Sequence, residues 1–123
     1  MITNVLKEVM LEKIIFEGDH IRLDFYDAQT GVDVGSAICE GALLFNYSSI
    51  LWGSEGSLPY FVLDVTCERL SRFETHKYLK ENKYSYSQRG KPNIPTQLYY
   101  SLFKIQGGGI DIAIVCQKFR YVE

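Results

Sequence analysis

Hydrophobic and polar positions alternate with a period of two through most of this chain, which predicts strands. From His20 to Asp27, Ile21, Leu23 and Phe25 share one face, while Arg22, Asp24 and Tyr26 share the other. That alternation marks a strand with one buried side. Tyr60 to Arg69 repeats the pattern, with Phe61, Leu63, Val65 and Cys67 set against Asp64, Thr66 and Glu68. Lys13 to Phe16 predicts a short strand, joined to the 20–27 strand through the turn Glu17-Gly18-Asp19. Val32 to about Cys39 predicts the next, reached through the hairpin loop Ala28-Gln29-Thr30-Gly31, and Ala42 to Tyr47 continues it beyond a bulge at Glu40-Gly41. Closing that loop with Asp27 across from Val32 sets Phe25 opposite Val34 and Ile21 opposite Ile38, so the apolar sets agree.

The strongest signal lies between Gln97 and Tyr121, where two apolar runs flank Gly107-Gly108-Gly109. Glycine supplies the positive φ of a tight hairpin turn. With Ile105 opposite Ile110, Lys104 faces Asp111 and Phe103 faces Ile112. One face then carries Tyr99, Phe103, Ile105, Ile110, Ile112, Ile114 and Cys116, and the other Leu98, Tyr100, Leu102, Ala113 and Val115. A hairpin apolar on both faces belongs at the centre of a sheet.

Two stretches depart from the period of two. Ile2, Val5, Leu6, Val9 and Met10 recur at spacings of three and four behind Thr3 or Asn4 as an N-cap, which predicts an amphipathic helix ending near Glu12. Ser71 and Glu74 have the spacing of a capping box and predict a short helix to about Glu81, with an extended arm as the alternative. Ser48 to Pro59 and Asn82 to Thr96 read as loops. These elements predict a single domain spanning 1–123 of the α+β class. An N-terminal helix packs on a curved, mostly antiparallel sheet of about six strands, with the C-terminal hairpin central.

Composition narrows the setting. Three cysteines, an odd number without CxxC spacing, fit a reducing compartment and argue against structural zinc. Charged residues interrupt the N-terminal apolar positions, and no run approaches the roughly 20 apolar residues of a membrane helix. The expectation is a cytoplasmic protein with no membrane partner, no metal and no cofactor. The net charge of −2 is split unevenly: residues 1–64 carry −7 and residues 65–123 carry +5. Separate acidic and basic surfaces are one reading, and charges pairing across a shared sheet are the other.

Candidate chemistry follows from the registers. The 20–27 and 32–39 pairing gathers Gly35, Ala37, Cys39 and Gly41 into a stripe of small residues beside His20, Arg22 and Asp24, with His20 nominally facing Cys39. Such a stripe admits a ligand or a packed element, and the N-terminal helix is the favoured occupant. Cys39 and His20 would supply a nucleophile and a base without an orienting third group. Asp19, Asp24, Asp27 and Asp33 read as solvated hairpin carboxylates, or as an acidic patch for a basic partner. Trp52 lies on a loop that either plugs the core or recognises a partner. Residues 76–91 sum to +4 and interleave their cations, Arg89 among them, with Tyr78, Tyr84 and Tyr86, a composition that can grip phosphates and stack bases. P-loop, HExxH, GxSxG and dinucleotide motifs are absent.

The reading is a noncatalytic protein-interaction module of immunity-like type, offering an acidic hairpin face that includes Asp24 and Asp33, together with the Trp52 loop, to a protein partner. No residue is assigned a catalytic role. One alternative is a small-molecule binder or Cys/His hydrolase, its groove floored by Gly35, Ala37 and Cys39 and rimmed by His20 and Asp24. The other is nucleic-acid binding through Tyr84, Tyr86 and Arg89. Oligomeric state is left open, a homodimer included.

Overall fold

A computed structural model describes residues 2–49, 60–84, 87–88, 91–92, 94–107 and 109–123. Six long strands carry the fold: β1 (Ile2–Glu17), β2 (His20–Asp27), β3 (Asp33–Ser49), β4 (Tyr60–Ser71), β7 (Tyr99–Gly107) and β8 (Ile110–Val122). Between β4 and β7 lie α1 (Arg72–Glu81) and a two-residue ribbon, β5 (Ser87–Gln88) with β6 (Lys91–Pro92). The long strands close into an antiparallel barrel in the order β1-β2-β3-β8-β7-β4. This corrects the α+β expectation. The N-terminal segment is the strand that closes the barrel, pairing with β2 on one side and β4 on the other.

The helical spacing of residues 2–10 has a specific origin. Register shifts fall between Asn4 and Leu6 and between Leu11 and Lys13, and Glu8 takes a positive φ of 52°. Each irregularity displaces the alternation by one residue, so the core-facing positions of this extended segment fall out of a strict period of two. Val5, Leu6, Val9 and Leu11 all meet the core. The same irregularities bend the long strand, as barrel closure requires.

A barrel of six strands leaves room inside for side chains only. Leu11, Leu23, Phe25, Val65, Phe103, Ile105, Ile112 and Ile114 fill it and are shielded from solvent almost completely. A second cluster lies outside, where Leu79 of α1 covers Leu70, Tyr100, Leu102 and Val115. The hairpin of β7 and β8 is therefore apolar on both faces, one toward the interior and one beneath the helix. Its register is two residues from the expected one: Ile105 pairs with Ile112, Phe103 with Ile114 and Gly107 with Ile110. The strands run further into the glycine turn than predicted, and an even offset preserves every face.

Between β2 and β3 the offset is odd, with larger consequences. Asp27 N donates to Val32 O at 2.8 Å, so the loop closes as expected. A shift between Phe25 and Tyr26 then sets Phe25 opposite Gly35 rather than Val34, and Ile21 opposite Cys39 rather than Ile38. One extra residue, Val34, turns the rest of β3 over. Ala37 and Cys39 consequently face the barrel interior, fully buried. On β4, Val62 is buried while Phe61 and Leu63 are partly exposed, so the expected alternation fails at that end.

α1 begins as predicted. Ser71 Oγ accepts from Glu74 N at 3.2 Å, and Ser71 N donates to Glu74 Oε1 at 3.1 Å. Thr75 and Leu79 form its inward side.

Candidate functional site

The reversed face of β3 separates the residues expected to form one site. Cys39 lies inside the barrel, where the Cys116 thiol beside it and burial together push its own thiol well above the ordinary range. His20 sits at the β1–β2 turn, pairs in the ladder with Glu17 and holds Asp19 through Nδ1 at 2.8 Å. The Cys39/His20 dyad is therefore not formed: Ala37 and Cys39 belong to the core side of the sheet, while Gly35, across from Phe25 at the irregularity, is only half-buried. Tyr84 folds against the outer apolar cluster, and its backbone N–H donates to Leu79 O at 2.9 Å. Trp52, Tyr86 and Arg89 lie outside the described residues. Among the described residues, no group of three or more His, Cys, Asp or Glu side chains could hold a metal ion, and no helix is long and apolar enough to cross a membrane.

Arg22, Asp24, Asp33 and Gly35 do come together. They line a groove of about 380 Å³ with Lys13 and Ser36, on the outer side of β1, β2 and β3. Asp24 is its centre and is only 8% exposed. Ser36 Oγ donates to Asp24 Oδ1 at 2.5 Å, Arg22 Nε donates to the same oxygen at 2.8 Å, and Lys13 Nζ lies 3.6 Å from Oδ2. Burial works to raise the Asp24 carboxyl, but the bonds from Ser36 and Arg22 and the charges of Arg22 and Lys13 outweigh it and hold the group below its ordinary value. A carboxylate saturated in this way is a poor proton acceptor, and its charge is spent on its own neighbours. The groove is a structural clamp that ties β1 to β2 and β3.

A depressed carboxyl has a definite pH signature. The stability that Asp24 contributes is complete above the unfolded-state pKa of about 3.9 and is lost as pH falls through the lower folded value. Urea denaturation at a series of pH values should show wild-type stability declining below about pH 4. Asp24→Asn, already less stable at neutrality, should decline less steeply over that window.

An exposed apolar surface lies elsewhere, on α1. Phe73, His76, Lys77 and Lys80 recur at spacings of three, one and three along α1, which sets them on one helical face away from Thr75 and Leu79. With Ile94 they line a shallow groove of about 540 Å³. Phe73 is 78% exposed and Ile94 54% exposed, although both are large and apolar. Sequence reasoning weighed the cations here but missed Phe73 and Ile94 as their companions. The helical spacing beginning at Phe73 was the signal available.

An antiparallel barrel with a single short helix among the described residues is the class that this geometry defines. Residues 4–123 match the model of a protein family whose description, "-like:-like", names no activity, and the chain belongs to that family. An uncharacterized protein from Neisseria gonorrhoeae, known from a crystal structure, is similar in fold with a TM-score of 0.65. The two share 23% identity over 98% of this chain and 96% of that one, a likeness of fold alone. No curated protein matches the chain.

Proposed function

We propose that this protein is a noncatalytic interaction module that holds an acidic protein segment against the outward face of α1. The observation that carries the reading is the pair Phe73 and Ile94, exposed side by side in a groove whose remaining walls are His76, Lys77 and Lys80. Exposed apolar side chains ringed by charge of one sign suit a partner with apolar anchors and the opposite sign. The helix is held rigidly enough to present them, because its capping box and the burial of Leu79 fix it to β4 and β7. Two features favour protein over nucleic acid. The chain as a whole carries −2, which works against an extended polyanion, and Tyr84 is turned toward the outer apolar cluster rather than offered for stacking. The acidic hairpin face is a weaker candidate because Asp24 is neutralised by Lys13 and Arg22. The hydrolase alternative has lost its Cys39/His20 dyad.

Titration of isotope-labelled protein with a short synthetic peptide of alternating glutamate and leucine tests the reading. Amide shifts should concentrate at Phe73, His76, Lys77, Lys80 and Ile94, and affinity should fall several-fold as salt rises above about 0.1 M. Lys77→Glu with Lys80→Glu should weaken binding by about ten-fold or more, and Phe73→Ala by a similar factor, with the fold intact. Equal binding of a lysine–leucine peptide, indifference to the Lys77/Lys80 reversal, or tighter binding of oligothymidylate at the same face would each overturn it.

A further inference from the structure

We propose that the mouth of the barrel beside Arg69 is a binding site for a small carboxylate with an apolar body. The site is independent of the α1 face and draws on different residues. At the end of the barrel where β1 and β7 begin and β4 ends, a cavity of about 360 Å³ opens between Val5, Cys67, Arg69, Tyr99, Ser101 and Phe119. That volume falls within the roughly 300–1,000 Å³ of small-molecule sites, and barrel mouths are among the places where such sites occur.

The inner wall is continuous with the core. Val5 and Phe119 pack against the buried cluster, and the Phe119 ring stacks on Phe103 with centroids 5.1 Å apart. An apolar body entering the mouth therefore meets carbon and displaces water from it. The rim supplies one cation. Arg69 lies with its guanidinium carbon 3.7 Å from the Tyr99 ring centroid, and no carboxylate among the described residues is within ion-pair distance of it. Contact with the ring restrains the guanidinium at the opening, while the planar fork can still donate two parallel hydrogen bonds to a carboxylate. Lysine could not offer that geometry. The remaining polar groups are neutral: Ser101 contributes a hydroxyl, and burial, with the nearby Cys116, pushes the Cys67 thiol up to about 11, so Cys67 places no negative charge against an anion at neutral pH. One fixed cation at the lip and an apolar wall behind it match an anionic head with an apolar tail, in that order from solvent inward.

Hexanoate and 1-hexanol are suitable probes because they share a tail and differ in the head. Titrated into the full chain and followed by amide shifts, hexanoate should perturb Arg69, Ser101 and Phe119 and bind about ten-fold or more tighter than hexanol. Arg69→Met should remove that advantage while leaving hexanol binding unchanged, and Arg69→Lys should restore only part of it. Because Arg69 is exposed, the variants should keep the wild-type amide spectrum away from the mouth. Should a variant fold poorly, Tyr99→Leu, which removes the ring that restrains the guanidinium, should also weaken hexanoate selectively. Hexanoate shifts elsewhere on the barrel, equal affinity for the two probes, or full retention of hexanoate binding in Arg69→Met would overturn the assignment.

Discussion

Replacing Leu11 by alanine should lower the unfolding free energy by about 2–5 kcal/mol, the cost of removing a fully enclosed leucine and leaving the space behind. Leu11 is inaccessible to solvent and pairs with Phe25 of β2 and Tyr60 of β4, so it fills the barrel interior on the strand that closes it. The amphipathic-helix reading of the N-terminus gives a different number. On a helix whose apolar stripe is Ile2, Val5, Leu6, Val9 and Met10, Leu11 falls off the stripe, and an exposed leucine replaced by alanine changes stability by about 0.5 kcal/mol or less. Urea denaturation of the variant, with the midpoint read at unchanged slope, separates the two. Domains of this kind have about 5–15 kcal/mol in total, so the larger loss is readily seen.

Gly35→Ala should be nearly as damaging, lowering stability by about 2–4 kcal/mol through backbone strain and overpacking. Gly35 takes a φ of +138°, which side chains with a Cβ rarely adopt. A Cβ built there would lie 2.6 Å from the carbonyl oxygen of Val122 and closer still to the phenol of Tyr121. The phenol cannot swing away without loss, because its hydroxyl donates to Val34 O, the carbonyl of the extra residue in β3. Had β3 run without that extra residue, Gly35 would face away from Phe25, and alanine would be tolerated at small cost. Thermal or chemical denaturation of Gly35→Ala therefore reads the β2–β3 register as well as the strain.

These two positions show where the chain's own pattern was legible and where it misled. Strand ends at His20, Asp27 and Tyr60, the capping box at Ser71 and the two-faced hairpin of β7 and β8 followed from alternation and turn chemistry. The hairpin faces survived an incorrect register because the offset was two residues, and period two forgives even errors. β3 had no such protection. Its single extra residue inverted the face carrying Ala37 and Cys39, and with it the dyad built on His20. A glycine inside a strand is a recognised mark of a bulge, so Gly35 carried the clue. The N-terminus misled for a related reason, since two register shifts and the positive φ of Glu8 break the period of two without making a helix.

The candidate surfaces divide along the same line. Asp24 and Arg22 lie together because both are on β2, where alternation is undisturbed. Their saturation by Ser36 and Lys13 depends on partners across β3 and β1, which no local pattern reveals. Phe73 and Ile94 line one groove although they lie far apart in sequence, and the barrel mouth at Arg69 needs four strands to exist.

Everything proposed for the mouth and for the clamp at Asp24 depends on β1 closing the barrel. Two-dimensional nuclear Overhauser spectra of the free protein measure this most directly. Closure gives cross-strand contacts from Val9 to Val62 and from Leu11 to Phe25, with slowly exchanging amides along the inner half of β1. Strong sequential amide contacts and three-residue periodic contacts through residues 2–12, with no signal between Val9 and Val62, would contradict it.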